Sequence, residues 1–486
     1  MIKTPKSVAV VGGGTAGFIS ALILKKKFPS LKISIIHSSK IGIIGVGEGS
    51  TEHWKTFLNF LDIDHKEVFK ECDSTLKCGI MFKDWAGEDY LHSVQTEYNQ
   101  KFGQYSHVYA NLIGGGYSSK ELSSGLSWKG QINRWFIDNP DWCPTSQFHF
   151  NTNKLNTWLN KLAHQFNIEV FDDEIIDFEI KEDGDIGSLY GRKKKYNYDF
   201  YIDSTGFKKL LISKLGAKWQ SYSKYLKMKS AIVFPTADEE NYNNYTLAKA
   251  MDYGWMFRIP VWGRYGNGYI YDSDYIDEHQ AKLEAEKYLG YEVEVAKKLE
   301  FDPGGLDRVW INNCVAIGLS ASFVEPLEAS SIGTSIQQTF SLMNRLINYD
   351  QTVINMYNKD CTSILENVRD FVALHYYTNK NSSQFWKDIK SIPIPDKLKE
   401  RLDLWKHRLP VSADFDSDSR YILFTEDHHI MVLHGIGHFN TDSIKREFDM
   451  QDMKLKVESD SIIAHNRLQH DTVPRISHKE FIKYFR

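Results

Sequence analysis

Glycines 12, 14 and 17 stand in G-x-G-x-x-G spacing, directly after the apolar run "SVAVV" and at the head of "TAGFISALILKKKF". Residues of this type in this order serve the binding of a dinucleotide pyrophosphate. Gly12 permits a tight turn, Gly14 lets the backbone approach the phosphates, and Gly17 allows the next helix to pack close to the strand. Backbone N–H groups from Gly13 to Ala16, with Thr15 between them, would complete an anion site at the positive end of that helix. Further on, "GVGEGSTEHW" (45–54) places three more glycines, Gly47 among them, before an expected helix start. Glycine at that density lets backbone approach a ligand. The stretch lacks G-x-x-x-x-G-K-[ST], so it is not a phosphate loop of the nucleotidase kind.

The elements that must position these loops follow from the apolar pattern. The first is strand, turn and helix, with Phe18, Ala21 and Leu22 at helical spacing and a basic last turn. The next strand, "LKISII", ends in His37, Ser38 and Ser39 where an acidic residue would hold ribose hydroxyls, which argues against a nicotinamide cofactor. "YDFYIDSTGF" (198–207) reads as a strand running into Asp203 and Gly206, and "NCVAIGLSASFVEPLEASSIGTSIQQ" (313–338) as strand, loop and long helix. Nucleotide-site pieces so far apart predict an α/β (α+β) fold. An FAD-binding, Rossmann-like domain of the hydroxybenzoate-hydroxylase and glutathione-reductase type would be interleaved with a substrate domain over residues 1–350. Residues 351–486 are expected to be mostly helical and to close the substrate site. "EHQAKLEAEKYLGYEVEVAKKLEF" and "KDCTSILENVRDFVALHYY" are expected helices of a subdomain over that site, the second with Ile364, Val368 and Phe371 on its apolar stripe.

Composition narrows the classes. The chain has 486 residues, 42% hydrophobic and 14% aromatic, enough for a large core. A net charge of -4 gives no basic footprint for nucleic acid. Five cysteines without a C-x-x-C argue against a disulfide framework and a zinc knuckle, so a reducing cytoplasm fits best. "VAVVGGGTAGFISALIL" carries a triple glycine in mid-run and no small-residue cleavage pattern, which counts against a secretory signal, and no membrane span is expected.

Several stretches resemble the flavin-dependent halogenases of the tryptophan-halogenase type, over about residues 7–348. The family includes a marine phage-encoded member, to which the pattern is nearest. "GVGEGSTEHW" is similar to the family's strap between the flavin and substrate sites. "STLKCGIMFKDW" (74–85) is similar to the segment bearing its essential lysine, here Lys77. "GWMFRIP" (254–260) resembles the signature W-x-W-x-I-P, with Trp255, Ile259 and Pro260 kept and Phe257 in place of the second tryptophan. "EPLEASSI" (325–332) resembles the halide segment usually written E-P-L-E-S-T, with Glu328 in the place of the catalytic glutamate.

The resemblance implies a reaction at two sites. Reduced FAD, supplied by a separate flavin reductase or as free FADH2, would react with dioxygen to a hydroperoxide. Halide (chloride, bromide or iodide) would then give hypohalous acid, which travels to Lys77 and halogenates a small, electron-rich aromatic of indole or phenol type. Leu319 and Ile332 join Gly47 and the glycine loop as flavin contacts, and Ser330 and Ser331 place helix N–H groups at the halide. The residue chemistry agrees. A lysine can polarise hypohalous acid as an ammonium or be halogenated as an amine, and burial would lower its pKa. A carboxylate at Glu328 could take the ring proton. Phe257 and Trp255 would bulk out the flavin pocket.

Other readings stay open. A single-component FAD monooxygenase or a non-catalytic flavin protein would share the glycine loop without needing Lys77 and Glu328. "TEDHHIMVLHGIGH" (425–438) holds four histidines at metal-like spacing. No metal is expected there, and pocket lining and ordinary packing are the competing readings. The region after Pro410 lacks the tryptophans that line the indole pocket in tryptophan-specific members of the resembled family, so the resemblance does not carry free tryptophan over as the substrate. A homo-oligomer is compatible with the sequence.

Overall fold

The computed structural model describes residues 2–45, 47–93, 126–127, 130–472 and 474–486. The strand Ser7–Val11 and the helix Thr15–Lys27 follow each other as the glycine spacing predicts. That strand lies inside a six-stranded sheet. Lys32–His37 and Phe200–Asp203 flank it in parallel, with Glu169–Asp172 and Cys314–Ala316 beyond them. Trp310–Ile311 closes the far edge antiparallel to its neighbour. Strands of this sheet are almost continuously apolar because both faces are covered. The helix Thr15–Lys27 is buried at every residue from Gly17 to Leu24. It is wedged between the sheet and the helices Thr152–Gln165 and Ser330–Met343, so it needs an apolar surface all round.

A seven-stranded sheet forms the second layer, in the order Lys297–Glu300, Ser230–Thr236, Arg264–Tyr271, Gly254–Val261, Thr246–Met251, Ile80–Lys83, Tyr90–His92. It is antiparallel except where Thr246–Met251 meets Ile80–Lys83. Two apolar cores correspond to the two sheets, the second reaching Phe371, Trp386, Trp405 and Val432 of the later helices. Among the described residues, no helix is long and apolar enough to cross a membrane.

The structure corrects one expected helix. It spans only Glu278–Leu289, stops at Gly290 with φ 82°, and gives way to the strand Lys297–Glu300. The helix packs on the seven-stranded sheet against Ile232, Tyr269 and Tyr271, in a small core of its own. It does not lie over the site. The second expected helix runs from Gln351 to His375 with Ile364, Val368 and Phe371 buried as predicted. The chain's last residues return to the first layer, where Arg475–Ser477 pairs with Gln131–Asn133 and Phe485 packs at a tilt against Phe69.

Candidate active site

At the nucleotide end, Gly12 has φ 116°, and a Cβ there would lie 2.1 Å from the Ser204 carbonyl oxygen. A Cβ on Gly17 would lie 2.2 Å from the Gly12 carbonyl oxygen, so strand and helix touch backbone to backbone. Gly14 faces the other way: a Cβ on it would meet nothing within 4 Å. Gly14 is also the N-cap of the helix Thr15–Lys27 and supplies no side-chain cap, which leaves orphan N–H groups facing open space. Gly47 is likewise open on its Cβ side and anchored through its carbonyl, which accepts from Thr152 Oγ1 at 2.9 Å. The turn Gly318–Ser320, carrying half-buried Leu319, abuts the loop at Ala16. Ile332 lies in the first turn of the helix Ser330–Met343. An uncapped helix end with an open face fits the pyrophosphate of FAD. Asp203 is not part of that cradle, since its oxygens accept from the backbone N–H groups of Thr205, Leu211 and Ile212 at 2.7–3.0 Å. His37 stands against Gly13, half-buried, with its pKa lowered by desolvation.

Lys77 ends the short strand Thr75–Lys77, which pairs with Gln147–His149. Strand alternation would expose one of its side chains, but all are buried, because the glycine-rich strap crosses above them. Ser50 N donates to Phe148 O at 3.0 Å, and Ser50 O accepts from Lys77 Nζ at 2.7 Å. Thr145 Oγ1 donates to the Lys77 carbonyl at 2.7 Å, and Thr75 Oγ1 to the Pro260 carbonyl at 2.6 Å. Burial brings the Lys77 pKa down to about 8, with Glu328 and Glu52 resisting the fall. The strap also passes the second element of the site. A Cβ on Gly49 would lie 3.2 Å from Ala329 Cβ.

Glu328 closes a 3-10 turn, Pro326–Glu328, and Ala329 follows it at φ 52°. That left-handed residue turns the chain into the helix Ser330–Met343, whose first turn has no side-chain cap. Ser330 is buried and Ser331 exposed. The Glu328 carboxylate, 2% exposed as a residue, is gripped by two imidazoles. His92 Nδ1 lies 2.9 Å from Oε2 and 3.0 Å from Oε1, and His375 Nε2 lies 2.9 Å from Oε1. His375 Nδ1 is 2.8 Å from the Phe371 carbonyl, which can only accept. The two imidazoles hold the Glu328 pKa far below the usual carboxylate range against the opposing cost of burial. The three ligand-type groups lie within 4.8 Å of one another. His92 Nδ1 is hydrogen-bonded directly to the carboxylate, and His375 Nε2 stands in contact with it at 2.9 Å.

Lys77, Glu328, Glu52, His92, Gln147 and His428 line one enclosed space of about 10 Å³. A larger cavity of about 260 Å³ opens beside Tyr222 and Arg369 and contains none of them. The four histidines of 425–438 do not converge. His428 reaches the chamber, His429 packs on Phe371, Trp405 and Phe415, His434 is buried with its pKa lowered, and His438 faces the Leu402 carbonyl. Pocket lining holds for the first, and packing describes His429 and His438.

Trp255, Phe257, Ile259 and Pro260 lie on the strand Gly254–Val261 in the second core. Trp255 Nε1 donates at 3.0 Å to Glu325 Oε1, which also accepts from Tyr376 OH. Burial lifts the Glu325 pKa to about 7. Trp255 therefore braces the turn that carries Glu328.

A sequence model of the tryptophan halogenase family matches residues 7–450. The chain belongs to that family. This halogenase is similar to the tryptophan 6-halogenase SttH of Streptomyces toxytricini, 29% identical over 461 residues that cover 85% of this chain and 86% of that one. It is also similar to the 7-chloro-L-tryptophan 6-halogenase KtzR of Kutzneria sp., 30% identical over 447 residues, 83% of this chain and 85% of that one. The solved SttH structure superimposes with a TM-score of 0.85, covering 99% of this chain and 100% of that one, at 26% identity. A tryptophan halogenase of Shewanella frigidimarina has the same fold, with a TM-score of 0.89 at 23% identity, covering 99% of this chain and 98% of that one. The halogenase is thus a flavin-dependent oxidoreductase with FAD, dioxygen and halide as its reactants.

Sequence reasoning missed His92, His375 and Glu52. His375 carried a signal: it stands four residues after Phe371 on the same apolar helix stripe. His92 ends a short strand and carried none.

Proposed function

We propose that this halogenase installs halogen on a small, electron-rich aromatic of indole or phenol type, with hypohalous acid meeting Lys77. The observation that carries this reading is the enclosure of Lys77 and Glu328 in one chamber. Bound FAD, reduced by a separate reductase and in the presence of dioxygen, supplies the oxidation of halide. Gly12 to Gly17, Gly47, Leu319 and Ile332 would hold that cofactor, and the N–H groups at Ser330 and Ser331 the halide.

The chain's own groups then have distinct tasks. Lys77 spends one of its three N–H donors on Ser50 O, leaving two for the oxygen of hypohalous acid. Enclosure raises the strength of that contact, because bulk water is absent to screen it. The chamber has room for about one water-sized species, so an aromatic must widen it to enter. Glu328 takes the ring proton as the carbon–halogen bond forms. We take residues 1–350 as the interleaved flavin and substrate unit and 351–486, which contribute His375 and His428, as the region that closes it. The relatives' names specify tryptophan; this chain has no tryptophan after Trp405, which favours another aromatic.

The test combines purified protein, a flavin reductase with NADH, FAD, halide, and a panel of indoles and phenols read by mass. Halogen mass gain is expected with native protein, and none with Lys77→Ala, which should still bind FAD. Product from Lys77→Ala at the native rate would overturn the role of the lysine.

A further inference from the structure

We propose that Glu328 passes the ring proton to a relay, His92 then His428, with Glu52 as the counter-ion that lets His428 hold it. The proposal rests on the reading of Glu328 as the group that takes that proton.

The links are on one line of contacts. Glu328 Oε2 lies 2.9 Å from His92 Nδ1, His92 Nε2 lies 3.2 Å from His428 Nδ1, and His428 Nε2 lies 3.5 Å from Glu52 Oε1. Each imidazole is used at both nitrogens, and each group comes from a different element. The Glu52 carboxylate can only accept, so it sets the His428 tautomer with the proton on Nε2 and the lone pair on Nδ1. That lone pair faces His92 Nε2–H, which leaves two acceptors, His92 Nδ1 and Glu328 Oε2, facing each other across 2.9 Å, a gap that only an added proton satisfies. A proton arriving on Oε2 has an acceptor waiting. It moves to His92 Nδ1, His92 releases its Nε2 proton to His428 Nδ1, and His428 becomes an imidazolium against Glu52. His375 stands outside this path. Its Nδ1 is 2.8 Å from the Phe371 carbonyl and its Nε2 2.9 Å from Oε1.

The titration directions agree with this sequence. The imidazoles keep Glu328 an acid that gives its proton up readily. His92 is lowered, chiefly by burial, so it passes a proton without keeping it. His428 is raised because Glu52, and more weakly Asp427 and Glu328, outweigh its burial. Glu52 is brought down to about 2 by His53 and His428. The other groups facing the line are Lys77, Tyr90 beside Glu328, and Gln147 beside Glu52. The chemistry balances: the carbon–halogen bond forms, carbon–hydrogen and oxygen–halogen bonds break, and the stored proton finally joins the departing hydroxide as water.

A packing role alone would be a costly way to fill this wall. Buried imidazoles and carboxylates lose hydration that apolar side chains of similar size would not need, and Phe371 and Phe424 already line the same wall.

The test uses His428→Asn and, as a second variant, Glu52→Gln, in the full protein with reductase, FAD and bromide. Perdeuterated and ordinary indole are compared, or phenol if indole is not turned over. Both variants should lose about tenfold in kcat for product, with KM unchanged. The isotope effect of the ring deuterium should rise above the native value, because proton removal becomes limiting. A structural role would not raise it. Flavin binding and circular dichroism establish folding, and if His428→Asn does not fold, Glu52→Gln decides. A native rate and isotope effect in a folded variant overturn the relay. Glu328→Gln separates the two readings: its loss of product with native relay variants sinks the relay alone, and its native activity sinks the role of Glu328 beneath it.

Discussion

The glycine loop and the lysine chamber are built from opposite materials. At Gly12 and Gly17 a Cβ would collide with a carbonyl oxygen at 2.1–2.2 Å, so the loop we propose for the cofactor offers it backbone. The chamber is lined by charged and polar side chains from separate elements, which we propose carry the chemistry. Gly12 and Gly17 tolerate no added atom, and on our proposal the chamber tolerates no removed charge. Substitutions should therefore fail in different ways, sterically at the loop and chemically at the chamber.

The largest effect belongs to the loop. Gly17→Val should abolish FAD binding and cost several kcal/mol of stability, since two backbones in contact must part. Flavin fluorescence titration and thermal melts check this. Normal FAD affinity would mean that the two elements can separate freely, breaking the contrast.

Glu328→Gln comes next. It keeps size and removes the charge, so product should fall about a hundredfold while oxygen consumption by the reduced enzyme stays native and hydrogen peroxide accumulates. Oxygen electrode traces with peroxide assays measure the split. Loss of oxygen consumption would place Glu328 in the flavin region's work.

A smaller, graded effect concerns pH. Lys77 is lowered from 10.5 to about 8, so product per oxygen consumed should decline as pH rises through 8 if the ammonium polarises hypohalous acid. An increase would identify the amine as the reacting form. The stability sign is separate. Between pH 8 and 10.5 the unfolded lysine binds the proton that the folded one has lost, so stability rises with pH in that window. Lys77→Met should flatten that rise, as denaturant midpoints would record.

The smallest effect is halide choice. Ala329 and Ser330 stand where the resembling halide segment carries Ser and Thr, and each has less bulk. Bromide and iodide should outcompete equal chloride, as product masses with catalase present would register. Ser330→Thr should narrow that preference a few-fold.

The same contrast explains what could be read before any coordinates. A backbone site is contiguous, so Gly12, Gly14 and Gly17 announced strand, turn and helix together. Lys77 and Glu328 were found by resemblance, because nothing local distinguishes them from surface charges. His375 marked itself by its place on an apolar helix stripe, but its meeting with His92 at one carboxylate was not readable, since three distant elements bring those residues together. The overlong helix at 278–301 had a local remedy: Gly290 is the residue type that ends a helix in the left-handed conformation.

Ala329 bears on how this enzyme can vary. A left-handed φ of 52° costs an alanine on the order of 1 kcal/mol, and more for a β-branched side chain. Its Cβ also faces the strap, 3.2 Å from where a Cβ on Gly49 would lie. Conformation and space thus narrow the position to small residues such as glycine, alanine, serine or asparagine. A directed-evolution library aimed at the anion site gains little by randomising position 329. Exposed Ser331, one residue from Ser330 and free of both constraints, is where diversity can be accepted.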